Sequence, residues 1–254
     1  MTSARCAVLV SGLLLLTLNS SAQVATTQVA QSSPAAISAL QGSLAAMGAG
    51  SLGTISSLQL TVNVTDSTGN GSTGTITTQG VNNLRMESGS SVTVSDGTKV
   101  LLQSDGGTAT HLSQPALSEI GFTHIPVLSY LGNWSQLGMI LSAIGTETLS
   151  GRSVYHIQYQ QQIDQQLGGL SAPCDVFIDA QTHFIDRLTY VVRTPSNLRQ
   201  AAVITVDYGN YQAISGVMVP FTVTYSIDGN SISTQTVTTF EINIPINSSL
   251  FQIE

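Results

Sequence analysis

From residue 56 the apolar and polar positions alternate with a period of two: Leu58, Leu60, Val62 and Val64 interleave with Gln59, Thr61, Asn63 and Thr65. Successive side chains of a strand point to opposite faces, so this run predicts a strand with one buried face. Shorter strands are expected at 73–79, 83–87, 92–94 and 99–103. Gly69 to Gly71, Gly89 and Asp96-Gly97 supply turn chemistry between them. The pattern breaks over 115–144. There Val127, Leu128, Leu131, Trp134, Leu137 and Ile140-Leu141, interrupted by Gly132 and Gly138, suit a helical insert. Alternation returns at 153–160, where Tyr155, Ile157 and Tyr159 share a face, and continues at 175–178 and 188–192. Three more strands follow at 203–208, 221–227 and 240–244.

Ahead of the strands the period is helical. Ser33-Pro34 reads as an N-cap followed by proline at the first helical position. Ile37, Leu40, Leu44 and Met47 then recur on one face before Gly48 and Gly50 stop the turn. The expected helix, 34–47, carries no Lys or Arg opposite that stripe, so the stripe is a packing face rather than a membrane-binding one. The order is helix, about five strands, insert, about six strands. No linker divides it and no fixed-period repeat occurs, so it predicts one mainly β, α+β domain on a strongly curved antiparallel sheet.

The first 22 residues have the form of a secretory signal. Arg5 precedes an apolar run from Cys6 to Leu18, and Ser20-Ser21-Ala22 ends it. That run, about 13 residues long, falls short of the roughly 20 that a spanning helix needs. Cleavage after Ala22 is expected, with 23–33 a flexible leader and 34–254 the folded domain. Export, to the periplasm or outside the cell, and no stable membrane insertion after cleavage follow from this.

Charge narrows the function further. Only 8% of the 254 residues are charged, with a net charge of −7, against about 25% charged in an average soluble protein. The solvated faces must be built from Ser, Thr, Asn and Gln. The basic residues after the signal, Arg85, Lys99, Arg152, Arg187, Arg193 and Arg199, are scattered. No cluster exists to neutralise a phosphate backbone or an anionic membrane surface, which excludes nucleic acid as a partner. Cys174, the one cysteine beyond the signal, has no internal disulfide partner.

Candidate chemistry is sparse. Gly69 to Gly74 fits G-x-G-x-x-G, but it lies between two alternating segments with no helix after it, so a hairpin loop is the reading. His111, His124, His156 and His183 are too far apart in sequence to form a close-spaced ligand pair. Cys174 reads as a small buried apolar residue. Asp175 and Asp179 would share a strand face, but Asp179 begins a turn-like stretch with Ala180, Gln181 and Thr182. No catalytic residue, metal site or cofactor is assigned, and the chain reads as a non-enzyme.

The last third has a recognisable cadence: Val176 to Asp179, then Thr182 to Arg187, then Val206-Asp207-Tyr208 with Tyr211, then Gly216 to Phe221, and finally Phe240 to Leu250-Phe251. It resembles the outer-membrane lipoprotein carrier and sorting superfamily of bacteria, the LolA/LolB-like proteins, and their secreted relatives. Leu84-Arg85-Met86 and the stretch from Gly145 through Arg152 to His156 are similar to further strands of that family. The resemblance implies an open half-barrel around the N-terminal helix and the insert, with an apolar cavity that takes a lipid or acyl chain. Leu58, Leu60, Val62, Tyr190, Val206, Phe221, Val223 and Tyr225 are the candidate lining residues. The other reading is a cell-envelope β module whose interior is filled by its own side chains and which meets other envelope proteins.

Overall fold

In the computed structural model the described residues are 31–252, apart from 81–82, 97–99, 105, 113–130, 137, 165–168, 171–172 and 195–196. Residues 1–30, which include the expected signal and most of the expected leader, lie outside them. The fold is mainly β, and the body from Gln31 onward is one compact unit.

Helix α1 (Pro34–Ala46) begins where Ser33-Pro34 places it, although the Ser33 side chain makes no cap hydrogen bond. Ala36, Leu40, Ser43 and Leu44 are its buried residues, with Met47 buried just beyond. The expected stripe is therefore turned slightly toward Ala36, and Ile37 is only partly buried. A methyl group at this point lets the helix backbone sit close to the sheet.

Fourteen strands follow among the described residues. The first six are β1 (Ser57–Asp66), β2 (Gly71–Gln79), β3 (Asn83–Ser88), β4 (Ser91–Ser95), β5 (Val100–Gln103) and β6 (Thr110–Leu112). After the insert come β7 (Met139–Leu149), β8 (Arg152–Asp164), the two-residue β9 (Gly169–Leu170), β10 (Cys174–Asp179), β11 (Ile185–Thr194), β12 (Asn197–Ile214), β13 (Val217–Ile227) and β14 (Asn230–Ile242).

All the pairings are antiparallel, and the spatial order is β6-β5-β4-β3-β2-β1-β14-β13-β12-β11-β10-β8-β7, with β9 hung on β8. The sheet is thus two meanders joined where the first strand meets the last, Leu60 opposite Phe240. It is open. Its two edges, β6 and β7, are consecutive in the chain and joined by the insert.

Two expectations change here. The stretch 139–144, read as helical, is the start of β7, because Met139 and Leu141 alternate inward before a bulge at Ile144 shifts the register. Residues 131–132 are helical, and Leu131 and Trp134 pack in the core; residues 113–130 of the expected insert lie outside those described. Strands β6 and β9 were not expected, β7 was expected only from Gly145 onward through the family resemblance, and β12, β13 and β14 each extend well beyond their alternating stretches.

Helix α1 crosses the concave face. At its start, the Ser33 amide donates to the Leu141 carbonyl (2.7 Å) and Ser32 Oγ accepts from the Leu141 amide (3.0 Å), both on β7. At its end, the Met47 carbonyl accepts from Met218 of β13 (2.9 Å). Strands β7 and β13 are five strand spacings apart, about 24 Å on a flat sheet. The helix from Ser33 to Met47 spans only about 21 Å at 1.5 Å per residue. With a hydrogen bond at each end, a helix of this length reaches from β7 to β13 and is held to the sheet at both. Among the described residues no helix is long and apolar enough to cross a membrane.

Candidate functional site: the concave face

The inner face is built strand by strand from the alternation. Leu58, Leu60 and Val62 on β1 face inward beside Val237 and Phe240 on β14. Val217, Val219, Phe221, Val223 and Tyr225 follow on β13, then Val206 and Tyr208 on β12, and Leu188 and Tyr190 on β11. Cys174, Val176 and Ile178 of β10, and Ile157 and Tyr159 of β8, complete the half beneath α1.

All eight candidate lining residues fall on this face, in one continuous hydrophobic cluster. They divide into two kinds. Leu58, Leu60, Val62, Val206 and Val223 are fully buried, while Tyr190, Phe221 and Tyr225 are only partly so. The aliphatic residues form the floor and the aromatic residues rise from it. Phe221 stacks on Phe240 with ring centroids 6.3 Å apart.

Sequence reasoning named the apolar positions and missed the polar ones among them. Tyr208 is buried and its phenol is pushed well up by burial, with Tyr225 next in effect. Tyr159 and Tyr190 flank Cys174 in the register. Gln235 lies opposite Val223 on β13 and Val64 on β1. It sits in the Ser/Thr-rich stretch of β14, where nothing in the composition marks it. At the inner register of β1 the apolar run Leu58 to Val64 ends on the exposed Asp66, which stands opposite Ser233 of β14 and is bonded to the Thr68 and Asn70 amides of its own hairpin.

The residues weighed for catalysis have other work. Cys174 is buried, and burial pushes its thiol far up, the reverse of an activated nucleophile. Asp179 takes the Gln181 and Thr182 amides on Oδ1 (2.8 and 2.7 Å), which shapes the β10–β11 turn, and pairs with Arg152 at 2.7 Å. The Arg152 guanidinium also meets Asp186 at 2.8 Å, a charge contact without hydrogen-bond alignment. Asp175 faces outward and contacts His156 Nε2 and Gln158, both at 2.9 Å. His156 Nδ1 lies 2.6 Å from Glu147, and its ring stacks on Phe177. Among the described residues no group of three or more His, Cys, Asp or Glu side chains is placed to hold a metal ion. The Gly69–Gly74 stretch is the β1–β2 hairpin, where Asp66 accepts from the Thr68 and Asn70 amides.

The residues of the recognisable cadence are structural devices. The Tyr211 hydroxyl donates to the Ile185 carbonyl (2.6 Å), and Arg187 pairs with Asp207 (2.6 Å). Gly216 sits against the end of α1. Phe251 is buried in the 3-10 turn Ser248–Phe251, which packs on β3 and whose Leu250 carbonyl accepts from Arg85 at 3.1 Å.

No protein-family model matches the sequence, and no curated protein matches it. Solved structures do match the fold. A LolA superfamily protein from Nitrosomonas europaea aligns over 86% of this chain and 97% of its own, with a TM-score of 0.54 at 10% identity. A putative outer membrane lipoprotein-sorting protein domain from Vibrio parahaemolyticus aligns over 85% and 96%, at 0.55 and 9% identity. A DUF1329 family protein from Desulfovibrio piger gives 0.56 at 7% identity over 85% and 97%. At such identities the likeness concerns the backbone alone: this chain has the open-sheet fold of LolA superfamily and lipoprotein-sorting proteins.

Proposed function

We propose that this chain is an exported, non-catalytic binding protein that holds a lipid or lipoprotein acyl chain against the concave face of its sheet. The observation that carries this reading is the makeup of that face between β11 and β1. Its aliphatic floor is buried, its aromatic residues Tyr190, Phe221, Tyr225 and Phe240 remain partly accessible, and the charge at its inner register, Asp66, stands at the exposed hairpin end of β1. An acyl chain leaving water gains roughly 0.8 kcal/mol per buried CH₂ and asks for an apolar, partly open surface. The fold supports the reading by analogy only, since one fold hosts many functions. The signal, residues 1–22, is cleaved after Ala22 on export to the periplasm, 23–33 is a flexible leader, and 34–254 folds as a single LolA/LolB-like domain.

Binding of the hydrocarbon probe 1,6-diphenylhexatriene tests this. The full chain should take it up with a rise in fluorescence. Phe221→Asp should abolish uptake while circular dichroism shows a retained β fold, and Phe221→Leu should preserve both. Equal uptake by the folded Phe221→Asp variant would remove the site from this face. No uptake by the wild type would favour an envelope module filled by its own side chains, as the complete burial of Leu58, Leu60, Val206 and Val223 already is locally.

A further inference from the structure

Two oxygen atoms on the concave face, Tyr225 Oη and Gln235 Oε1, are buried and have no hydrogen-bond partner among the described residues. Buried polar atoms are nearly always paired, so each unpaired one calls for a physical reason. A third such atom, Asp186 Oδ2, has one: it lies 2.8 Å from the Arg152 guanidinium. Tyr225 and Gln235 have no such neighbour.

Their positions are related. Tyr225 of β13 stands opposite Ser233 of β14, and Gln235 stands opposite Val223 of β13. The two are diagonal neighbours on one face of adjacent strands, about 7–8 Å apart at the backbone and within reach of one small polar group between their long side chains. The surroundings are Val64, Val206 and Val223, with Tyr208 beyond.

The chemistry of the pair defines what would complete it. A phenol donates one hydrogen bond, and burial pushes the Tyr225 phenol up, so it remains a neutral donor. An amide oxygen only accepts. The complement is one acceptor beside one donor. A charged group would lose its water here, and the carboxylate nearest in the register, Asp66 opposite Ser233, is already bonded to the Thr68 and Asn70 amides.

We infer that Tyr225 and Gln235 form a polar anchor for a neutral lipid bearing a hydroxyl next to an ester or amide carbonyl, as in a monoacylglycerol. The Tyr225 hydroxyl donates to the carbonyl, the Gln235 oxygen accepts from the hydroxyl, and the acyl chain lies along the aromatic residues toward Phe221 and Phe240. The inference rests on the ligand-binding reading above and specifies the head that the same site takes.

Displacement of diphenylhexatriene from the full chain by 1-monooleoylglycerol and by methyl oleate, which keeps the carbonyl but lacks the hydroxyl, tests the anchor. Monooleoylglycerol should compete about tenfold better, the size of one buried hydrogen bond. Gln235→Leu should close that gap. Tyr225→Phe should weaken both esters by about tenfold relative to the hydrocarbon probe, a selective loss that a merely structural tyrosine would not give. Probe uptake with no preference for monooleoylglycerol, or with preferences that neither variant moves, overturns the anchor and leaves the ligand-binding reading standing. Absence of probe uptake by the wild type overturns both.

Discussion

The backbone carbonyl of Met47, at the end of α1, accepts a 2.9 Å hydrogen bond from the amide of Met218 on β13. With the Ser33–Leu141 contact at the other end, it holds the helix across the concavity. Next to this bond Gly48 has φ +77, and a Cβ there would collide with the Gly216 carbonyl oxygen. Gly48→Ala should therefore destabilise the protein by at least about 2 kcal/mol, from the left-handed backbone and the displaced hairpin together. Urea denaturation measures it; an unchanged midpoint would mean that the helix end is not fixed to the hairpin.

Arg152 serves two carboxylates, Asp179 and Asp186, that are both nearly buried. Its own side chain is 54% exposed, which lowers its worth, and Arg152→Ala should cost about 2 kcal/mol near neutral pH. Burial already raises the Asp186 carboxyl against the pull of Arg152, whereas Asp179 stays low because the Thr182 and Gln181 amides outweigh its burial. Without Arg152 the Asp186 carboxyl rises further and takes up a proton as the pH falls. The variant's deficit should shrink between pH 7 and pH 4; thermal melts showing a constant deficit would rule out charge as its cause.

His156 has a carboxylate on each ring nitrogen, an arrangement that only the imidazolium satisfies with two donated bonds. Partial burial disfavours its charge, but the hydrogen bonds to Glu147 and Asp175, and then their charges, prevail and raise its pKa above 6.5. A raised basic group stabilises the fold fully below its unfolded value and ceases to do so as the pH rises through the folded one. His156→Gln should thus lower the melting temperature more at pH 6 than at pH 8.5. The effect should be no more than about 1 kcal/mol, because Glu147 is half-exposed. NMR titration of His156 giving a pKa below 6.5 would contradict this.

Cys174 should be inert in the native state, since it is buried and its thiol is pushed up by burial. Iodoacetamide labelling followed by peptide mapping should modify it in guanidinium and not in buffer. Fast native labelling would place it on an accessible path.

Much of this fold was legible because β1 and β13 alternate cleanly, and because Ser33-Pro34 and Gly48 mark both ends of the helix. What was hidden has local causes. In β7 the bulge at Ile144 breaks the period after Ala143, so a strand reads as part of a helical stretch. In β14 the inner positions Ser233 and Gln235 are polar, and a bulge at Thr238 shifts the parity before Phe240, so only its last residues look like a strand. The inward-facing apolar positions were readable for the same reason that β1 and β13 were. The Tyr225–Gln235 pair depends on the β13–β14 register, which no single strand encodes.

Native mass spectrometry of the protein, expressed with its leader and purified from the exported fraction without detergent, tests the central claim most directly. The account predicts a mass excess that organic extraction identifies as a lipid or acyl chain. A clean protein mass that stays unchanged when lipids are offered would contradict it.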